Sequence, residues 1–357
     1  MRRVNPDMIV VARESRELTQ GQLAAKLSLG QPTLSKYETG TLVVSDEHLA
    51  ALAIALEYPE EFFFQQDQVR WVGSGCMYNR KRQSLTTTEY KRLLARVNVL
   101  RLSIWRLLQS VEIEAENHFV RMDLAEYGTP ERVANTIRQM WNLPPGPIGN
   151  LTRAIESAGG LVMKCEFGTT TLDAFAQWPS GMPPLFFVNR SAPPDRYRYT
   201  LAHEIGHTIM HGVPSATMER EADLFAAEFL MPKREIRPHL ARPFTLQKAA
   251  ELKTHWRVAM SALIRRAHDL GTISPSHDRA LMTQMSRHGF RLNEPVSLDA
   301  EEPSIINAVI DVHLHDHGYT LHELSKVALL NERDFVRCYP PPPRADIPTR
   351  PHLRAIK

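Results

Sequence analysis

The chain has 357 residues, enough for two or three domains, and 43% of them are apolar, which excludes a wholly disordered protein. The formal net charge of +3 is too small to indicate nucleic-acid binding by itself, so the distribution of charge along the chain matters more. The three cysteines lie far apart and no apolar run is long enough to span a membrane, so we expect a reduced, cytoplasmic protein without a membrane segment.

Short helical elements are predicted over residues 6–64, and the stretch LTQGQL at residues 18–23 has the clearest helix start. Thr19 as the N-cap residue and Gln22 three residues later form a capping box, and the two flanking leucines form a hydrophobic staple. A second short helix, QPTLSKYE, follows after a glycine-containing turn. Two short helices across a tight turn predict a helix-turn-helix.

The stretch LTQGQLAAKLSLGQPTLSKYETGTLVVSDEHLAALAIAL resembles the lambda-repressor-like (Xre) DNA-binding domain, which we assign to residues 1–68. In that family the second of the two helices lies in the major groove of DNA. The resemblance therefore implies that the residues contacting bases or phosphates are Gln31, Thr33, Ser35 and Lys36.

The charge of this first domain is acidic for a DNA-binding protein. Residues 1–61 contain six Lys or Arg against nine Asp or Glu. Contacts to phosphates dominate affinity for DNA, so one copy alone should bind weakly. We therefore expect a homodimer on a two-fold operator.

The next segment, residues 69–128, is expected to be a basic helical connector. Residues 79–106 contain eight Lys or Arg against one acidic residue, and leucine, valine and isoleucine recur there at largely helical spacing. Such a helix can pack against the protein and expose a solvated basic face, or it can contact phosphates or form a dimer.

Three short β-strands are predicted in the segments GGLVMKCEF, LDAFAQWP and PLFFVNRS, which are rich in Val, Phe and Leu and bounded by Gly or Pro. Another helix follows the third strand directly. A small sheet packed against helices is an α+β arrangement. The fold class is therefore expected to be α+β and mostly helical.

The helix after the third strand contains the motif HEIGH at residues 203–207. Residues four apart lie on one face of a helix, so His203 and His207 can both point imidazole nitrogens at one metal ion. Glu204 lies beside them, where a zinc peptidase has the general base that takes a proton from the attacking water. His211 lies about 12 Å along the axis from His203 in a continuous helix, so we exclude it as a third ligand and expect it to have a supporting role.

A catalytic zinc ion needs a third protein ligand, and the next predicted helix, ATMEREADLFAAEFLMP, has three acidic residues near its start. On a helical wheel Glu219 lies about 65° from the centre of the apolar stripe, against about 95° for Glu221. Glu219 is therefore the acid best able to point inward. Asp223, one turn further on, can accept a hydrogen bond from the second N–H of a liganding histidine.

The phrase TLAHEIGHTIMH followed by MEREADLFAAEFLMP is similar to the ImmA/IrrE family of zinc metallopeptidases. The resemblance implies a zincin-like domain at residues 129–270, with Glu204 as the general base and Asp223 as the hydrogen-bond partner of a ligand. It also implies that the ligands of Zn²⁺ are His203, His207 and Glu219. An Xre domain followed by such a peptidase domain is a combination known from this family.

The end of the chain has less specific patterns. Residues 271–339 are expected to form a helical C-terminal region, and the proline-rich tail at residues 340–357 is expected to be extended or disordered. His313, His315 and His317 alternate in sequence, but the flanking pattern is helical and would scatter them around the axis.

These features predict a transcriptional regulator that binds an operator and carries a zinc-dependent endopeptidase, whose protein substrate is of the repressor or antitoxin type. Two alternatives stay open. The peptidase-like domain could sense a ligand or a metal without catalysis, although Glu204 would then have no role because a sensor needs no general base. The chain could also act as an antitoxin through binding alone.

Overall fold

The computed structural model describes residues 3–66 and 86–340, together with the backbone of the strand Leu353–Ala355. This part of the chain is mostly helical, contains one three-stranded and one two-stranded sheet, and divides into two compact units. The expected α+β, mostly helical fold is therefore confirmed. No helix among the described residues is long and apolar enough to cross a membrane.

The first unit begins with four short helices, one long helix and a strand. Their bounds are α1 (Pro6–Ser15), α2 (Gln20–Lys26), α3 (Gln31–Glu38), α4 (Asp46–Leu56), α5 (Thr87–Leu107) and β1 (Val111–Ile113). The predicted capping box begins α2, because Gln22 donates its backbone N–H to Oγ1 of Thr19 at 3.2 Å and Thr19 donates its own to Oε1 of Gln22 at 2.8 Å. A short turn joins α2 to α3, so the helix-turn-helix prediction is confirmed.

A buried ion pair connects the first three helices. Arg13 of α1 donates from Nε to Oε1 of Glu38, the last residue of α3, at 2.5 Å, and Gln20 of α2 donates to the other oxygen of the same carboxylate at 2.7 Å. The side chains of Arg13 and Glu38 are only 10% and 5% exposed. This carboxylate therefore links α3 to both α1 and α2.

The second unit covers residues 115–303 and contains the three predicted strands, β2 (Leu161–Cys165), β3 (Ala174–Gln177) and β4 (Leu185–Asn189). The strand order is β2-β4-β3, with β2 parallel and β3 antiparallel to β4. Among the described residues β3 is therefore an edge strand. The helices of this unit are α6 (Leu124–Tyr127), α7 (Pro130–Met140), α8 (Leu151–Ser157), α9 (Pro194–Met210), α10 (Met218–Leu230), α11 (Lys233–Ile236), α12 (Leu246–Trp256), α13 (Met260–Asp269) and α14 (Pro275–Arg287).

Helix α9 is the central helix of the second unit. Pro194 occupies its first turn, where the fixed φ of proline suits a helix and its missing N–H costs no hydrogen bond. Every residue from Leu201 to Met210 is buried, because the sheet lies on one side of α9 and α10 on another. The HEIGH motif therefore lies inside the protein core.

After residue 303 the chain returns to the first unit. The elements there are α15 (Ile305–Asp311), a π-helical turn (Val312–Asp316), α16 (Leu321–Val327), α17 (Glu332–Cys338) and β5 (Leu353–Ala355). β5 pairs antiparallel with β1, with Val111 opposite Ala355. At these three residues the tail is extended, one of the two conformations expected for it, and its other residues after position 340 lie outside the described part.

The two compact units group the chain differently from the five segments expected from the sequence. Helix α5 of the expected connector packs against α1, and the C-terminal helices fold with both. Asp334 of α17 accepts a hydrogen bond from Arg16, and Nε2 of His313 lies 2.8 Å from the carbonyl oxygen of Leu107. Residues 271–303, in contrast, belong to the second unit.

The apolar surface of α5 explains this grouping. Its leucine, valine and isoleucine side chains are buried over most of the helix, so it needs neighbours on more than one side. Its arginines are used within the unit, since Arg92 and Arg96 pair with Glu17 at 3.3 and 2.7 Å and Arg101 is buried. These contacts favour the packing interpretation of the basic helix, whereas Arg80, Lys81 and Arg82 lie outside the described residues.

Candidate functional site

Helices α9 and α10 bring together three groups that can bind a metal ion. His203 and His207 lie one turn apart on α9, and Glu219 lies in the first turn of α10. The Nε2 atoms of the two histidines are 3.0 Å apart, and the carboxylate oxygens of Glu219 lie 3.6 Å from Nε2 of His203 and 3.5 Å from Nε2 of His207. The three residues selected from the sequence therefore converge on one point.

The spacing and the chemistry of these atoms fit a metal ion. Ligand atoms about 2.0–2.2 Å from a tetrahedral zinc ion lie roughly 3.3 Å from one another, and the three observed separations lie on either side of that value. Two imidazole nitrogens and one carboxylate form a donor set that zinc accepts. Three protein ligands leave one tetrahedral position for water or substrate.

Asp223 orients the first histidine. Its Oδ1 lies 2.8 Å from Nδ1 of His203, so the carboxylate holds a proton on Nδ1 and the Nε2 atom faces the other ligands. Burial disfavours the charged form of His203, but hydrogen bonds to Asp223 and Glu219 raise its pKa to about 9. A proton and a metal ion compete for the same Nε2 lone pair.

Glu204 lies in the same turn of α9 and is only 3% exposed. Its Oε2 accepts a hydrogen bond of 3.0 Å from the backbone N–H of Ala176, which belongs to the edge strand β3. The sheet therefore holds the carboxylate from one side while the helix places it beside His203 and His207. A carboxylate in this position can exchange a proton with a water molecule at the metal centre.

His211 and Glu221 lie next to the three converging residues, and their contacts were not predicted from the sequence. Helix α9 ends at Met210, and His211 turns out of it with φ −111° and ψ 94°. Its Nδ1 lies 2.8 Å from Nδ1 of His207, and its Nε2 lies 3.0 Å from Oε2 of Glu221. Burial lowers the pKa of His211, although Glu221 opposes this shift. Its atoms are not among the three that converge.

The first unit has a separate candidate site on α3, whose residues expected to contact DNA are exposed or half-buried: Gln31, Thr33, Ser35 and Lys36. Leu34 and Tyr37 point into the core of the unit, and the hydroxyl of Tyr37 lies 2.7 Å from Nδ1 of His48 on α4. The inner face of α3 is therefore fixed by packing, and the outer face carries polar side chains suited to bases and phosphates.

Comparison with known proteins matches both parts of the chain. Residues 11–63 match the family model described as helix-turn-helix, and residues 155–268 match the peptidase family model described as IrrE N-terminal-like domain. A search of the curated proteins finds no match. The chain therefore combines a region similar to Xre-like helix-turn-helix domains with a region similar to the IrrE-like domain of a metallopeptidase family, in the order expected from its sequence.

Proposed function

We propose that this chain is a DNA-binding transcriptional regulator whose second unit is a zinc-dependent endopeptidase that cleaves a protein of the repressor or antitoxin type. One observation supports the enzymatic part above all. Glu204 is buried and held by Ala176 next to the three convergent ligand atoms of His203, His207 and Glu219. A site that only senses a metal needs the three ligands but has no use for this carboxylate.

The residues of the site have distinct roles in peptide hydrolysis. The two histidines and Glu219 would hold Zn²⁺, which would supply a Lewis acid for the scissile carbonyl and for the attacking water. Glu204 takes a proton from the attacking water and returns it to the leaving amide nitrogen. The hydrogen bond from Ala176 fixes one oxygen of Glu204, and with it the direction in which the carboxylate faces.

The DNA-binding part brings the peptidase to its target. Fusion to an operator-binding domain raises the effective concentration of the peptidase near other proteins bound at the same DNA site. Because the first domain is acidic, we infer that a homodimer binds a two-fold operator. Sedimentation of the protein with operator DNA should then show two copies per duplex, and a single bound copy of high affinity contradicts the dimer.

The substitution Glu204→Gln tests the enzymatic proposal. Wild-type protein and this variant are expressed in the same cells, and new protein N-termini are mapped by mass spectrometry. We expect cleavage products only with the wild type, while both proteins bind zinc equally, because the amide cannot accept the proton from water. Equal products from both proteins contradict the assignment of the base. Zinc binding without products from either protein favours the sensor alternative.

A further inference from the structure

We infer that His211 and Glu221 form a two-residue relay that orients His207 for metal binding, as Asp223 orients His203 directly. The relay rests on the metal site of the proposed function and assigns a role to two residues outside the ligand set. It consists of two contacts, 3.0 Å from Oε2 of Glu221 to Nε2 of His211 and 2.8 Å between the Nδ1 atoms of His211 and His207.

The direction of each hydrogen bond follows from the chemistry of the carboxylate. An ionised Glu221 can only accept, so Nε2 of His211 carries the proton in this contact. In the neutral imidazole of His211 the other nitrogen, Nδ1, is then an acceptor. The contact between the two Nδ1 atoms therefore requires that His207 donates from Nδ1.

This arrangement selects the tautomer of His207 that can bind a metal. With the proton on Nδ1, the lone pair of His207 is on Nε2, the atom that faces Nε2 of His203 at 3.0 Å and Glu219 at 3.5 Å. If His211 lost its carboxylate partner, its proton could move to Nδ1 and point at His207. His207 would then have to accept at Nδ1 and carry its own proton on Nε2, where the metal binds.

Burial makes the tautomer of His207 depend more strongly on its protein partners. The side chains of His207 and His211 are 0% and 5% exposed, so solvent cannot readily replace a missing partner, and Glu221 is the partly exposed end of the relay at 24%. An unpaired N–H or lone pair in such surroundings is costly. The tautomer of His207 is therefore set by the protein rather than by water.

The three carboxylates that bind the metal or orient a histidine all come from one helix. Helix α10 supplies the ligand Glu219, the direct partner of His203 at Asp223, and the partner of His211 at Glu221. On the side of His207 the relay contains one more residue, His211. Because α9 ends at Met210, His211 leaves the helical path and its ring reaches both His207 and Glu221.

The test is a double-mutant cycle on zinc affinity, measured on the full chain by competition with a chelator of known affinity. We expect Glu221→Ala to weaken zinc binding by about 10–100-fold, as loss of a hydrogen-bond partner of a ligand commonly does. Glu221→Gln should bind zinc nearly as tightly as the wild type, since its amide oxygen can still accept from His211. His211→Asn should likewise bind more tightly than His211→Ala, because its side-chain oxygen can accept from His207.

The cycle separates a relay from a general structural role. In a His211→Ala background, Glu221→Ala should cause no further loss, because Glu221 acts only through His211. In an Asp223→Ala background, the same substitution should lower affinity by its full factor, because Asp223 acts on the other histidine. A loss that is as large without His211 as with it overturns the relay, and so does a Glu221→Ala variant with wild-type affinity.

A second measurement does not depend on how well the variants fold. Long-range ¹⁵N–¹H NMR spectra of the wild-type protein report which ring nitrogen of each histidine carries the proton. Zinc bound at Nε2 leaves the proton of His207 on Nδ1 in any case, so the form of His211 is the decisive one. We expect the Nε2–H form for His211, and its Nδ1–H form overturns the relay. If the wild-type chain binds no zinc, the proposed function is wrong. If the wild type binds zinc but Glu221→Ala has the same affinity, only the relay is wrong.

Discussion

The backbone N–H of Ala176 donates to Oε2 of Glu204 at 3.0 Å, so the edge strand β3 holds the candidate base of helix α9 directly. This N–H serves the carboxylate instead of the neighbouring strand β4, which means that it points away from the sheet. A main-chain donor keeps its position whatever the side chain of the strand residue is. The position of the base therefore depends on the backbone of β3.

Ala176→Pro removes this donor, because proline has no backbone N–H. We expect zinc content to stay at the wild-type level and proteolytic turnover to fall about 10–100-fold, since a misplaced catalytic group costs that much. Ala176→Gly keeps the N–H and serves as the control. Unchanged turnover in the proline variant would show that Glu204 does not depend on this bond.

Removing a ligand should remove the metal. Wild-type protein should contain about one zinc ion per chain by elemental analysis, and His207→Ala or Glu219→Ala should contain almost none, because two remaining ligands bind zinc weakly. His315→Ala is the control, since His315 is an exposed histidine of the first unit. A metal-free wild type, or a Glu219→Ala variant that retains its zinc, contradicts the assigned ligand set.

The outer face of α3 should determine both sequence preference and salt dependence. Gln31→Ala or Ser35→Ala should relax the preference for the operator at one base position, at a cost of about 1–3 kcal/mol for the preferred sequence. Lys36→Ala should weaken binding to all sequences alike and reduce the slope of log affinity against log salt by about 1. Gel retardation over a salt series measures both effects, and equal losses on operator and random DNA for Gln31→Ala exclude base contact there.

The buried pair between Arg13 and Glu38 should be needed for the stability of the first unit. Glu38→Gln leaves the guanidinium of Arg13 buried opposite a neutral amide, and breaking a buried pair in this way costs roughly 3–5 kcal/mol. We expect the denaturation midpoint of this unit to fall and DNA binding to weaken for every sequence, because α3 loses its anchor. Glu61→Gln, at an exposed acid of the same unit, should change neither. A stable Glu38→Gln variant would show that packing alone holds α3.

Short-range patterns predicted which side chains converge at the candidate metal site. The spacing of His203 and His207 places both on one helical face, and the apolar stripe of α10 turns Glu219 inward. The roles of His211 and Glu221 were less accessible, because they depend on how His211 leaves α9 after Met210. Gly212 and Pro214 predict a helix end nearby, but they do not predict which neighbours the ring of His211 then contacts. The donor at Ala176 is a backbone group, so residue identity carries no sign of it.

Local sequence patterns could not predict which helices belong to which unit, and the reason is different. Helix α5 has apolar side chains on several faces, which predicts that it is buried but does not say by which segments. Its partners include α1 and residues more than two hundred positions later, such as His313. Contacts between residues so far apart in sequence depend on how the surfaces of whole helices fit together. The local pattern of a single sequence does not show which helices will pair.

The close approach of α9 and α10 determines how near Glu219 comes to the two histidines. A Cβ placed on Gly206 of α9 would lie 3.0 Å from Cδ1 of Phe225 and 3.2 Å from its Cβ, which is tighter than ordinary contact. A methyl group at this position would require Phe225 or its helix to shift by a few tenths of an ångström. Gly206 therefore acts on the metal centre although it contacts no ligand atom in the described geometry.

Gly206→Ala should consequently weaken zinc binding. Alanine favours a helix over glycine by about 1 kcal/mol, but overpacking a core contact costs about 1–3 kcal/mol, so the net effect on stability is a modest loss. The extra methyl group pushes α10 and its Glu219 away from α9, and zinc affinity should fall more than stability does. Gly212→Ala is the matched control, because a Cβ there meets nothing within 4 Å. Chelator competition measures the zinc affinity of both variants, and thermal unfolding measures their stability. Equal zinc affinity for Gly206→Ala and Gly212→Ala would show that the helix crossing tolerates a methyl group without moving Glu219.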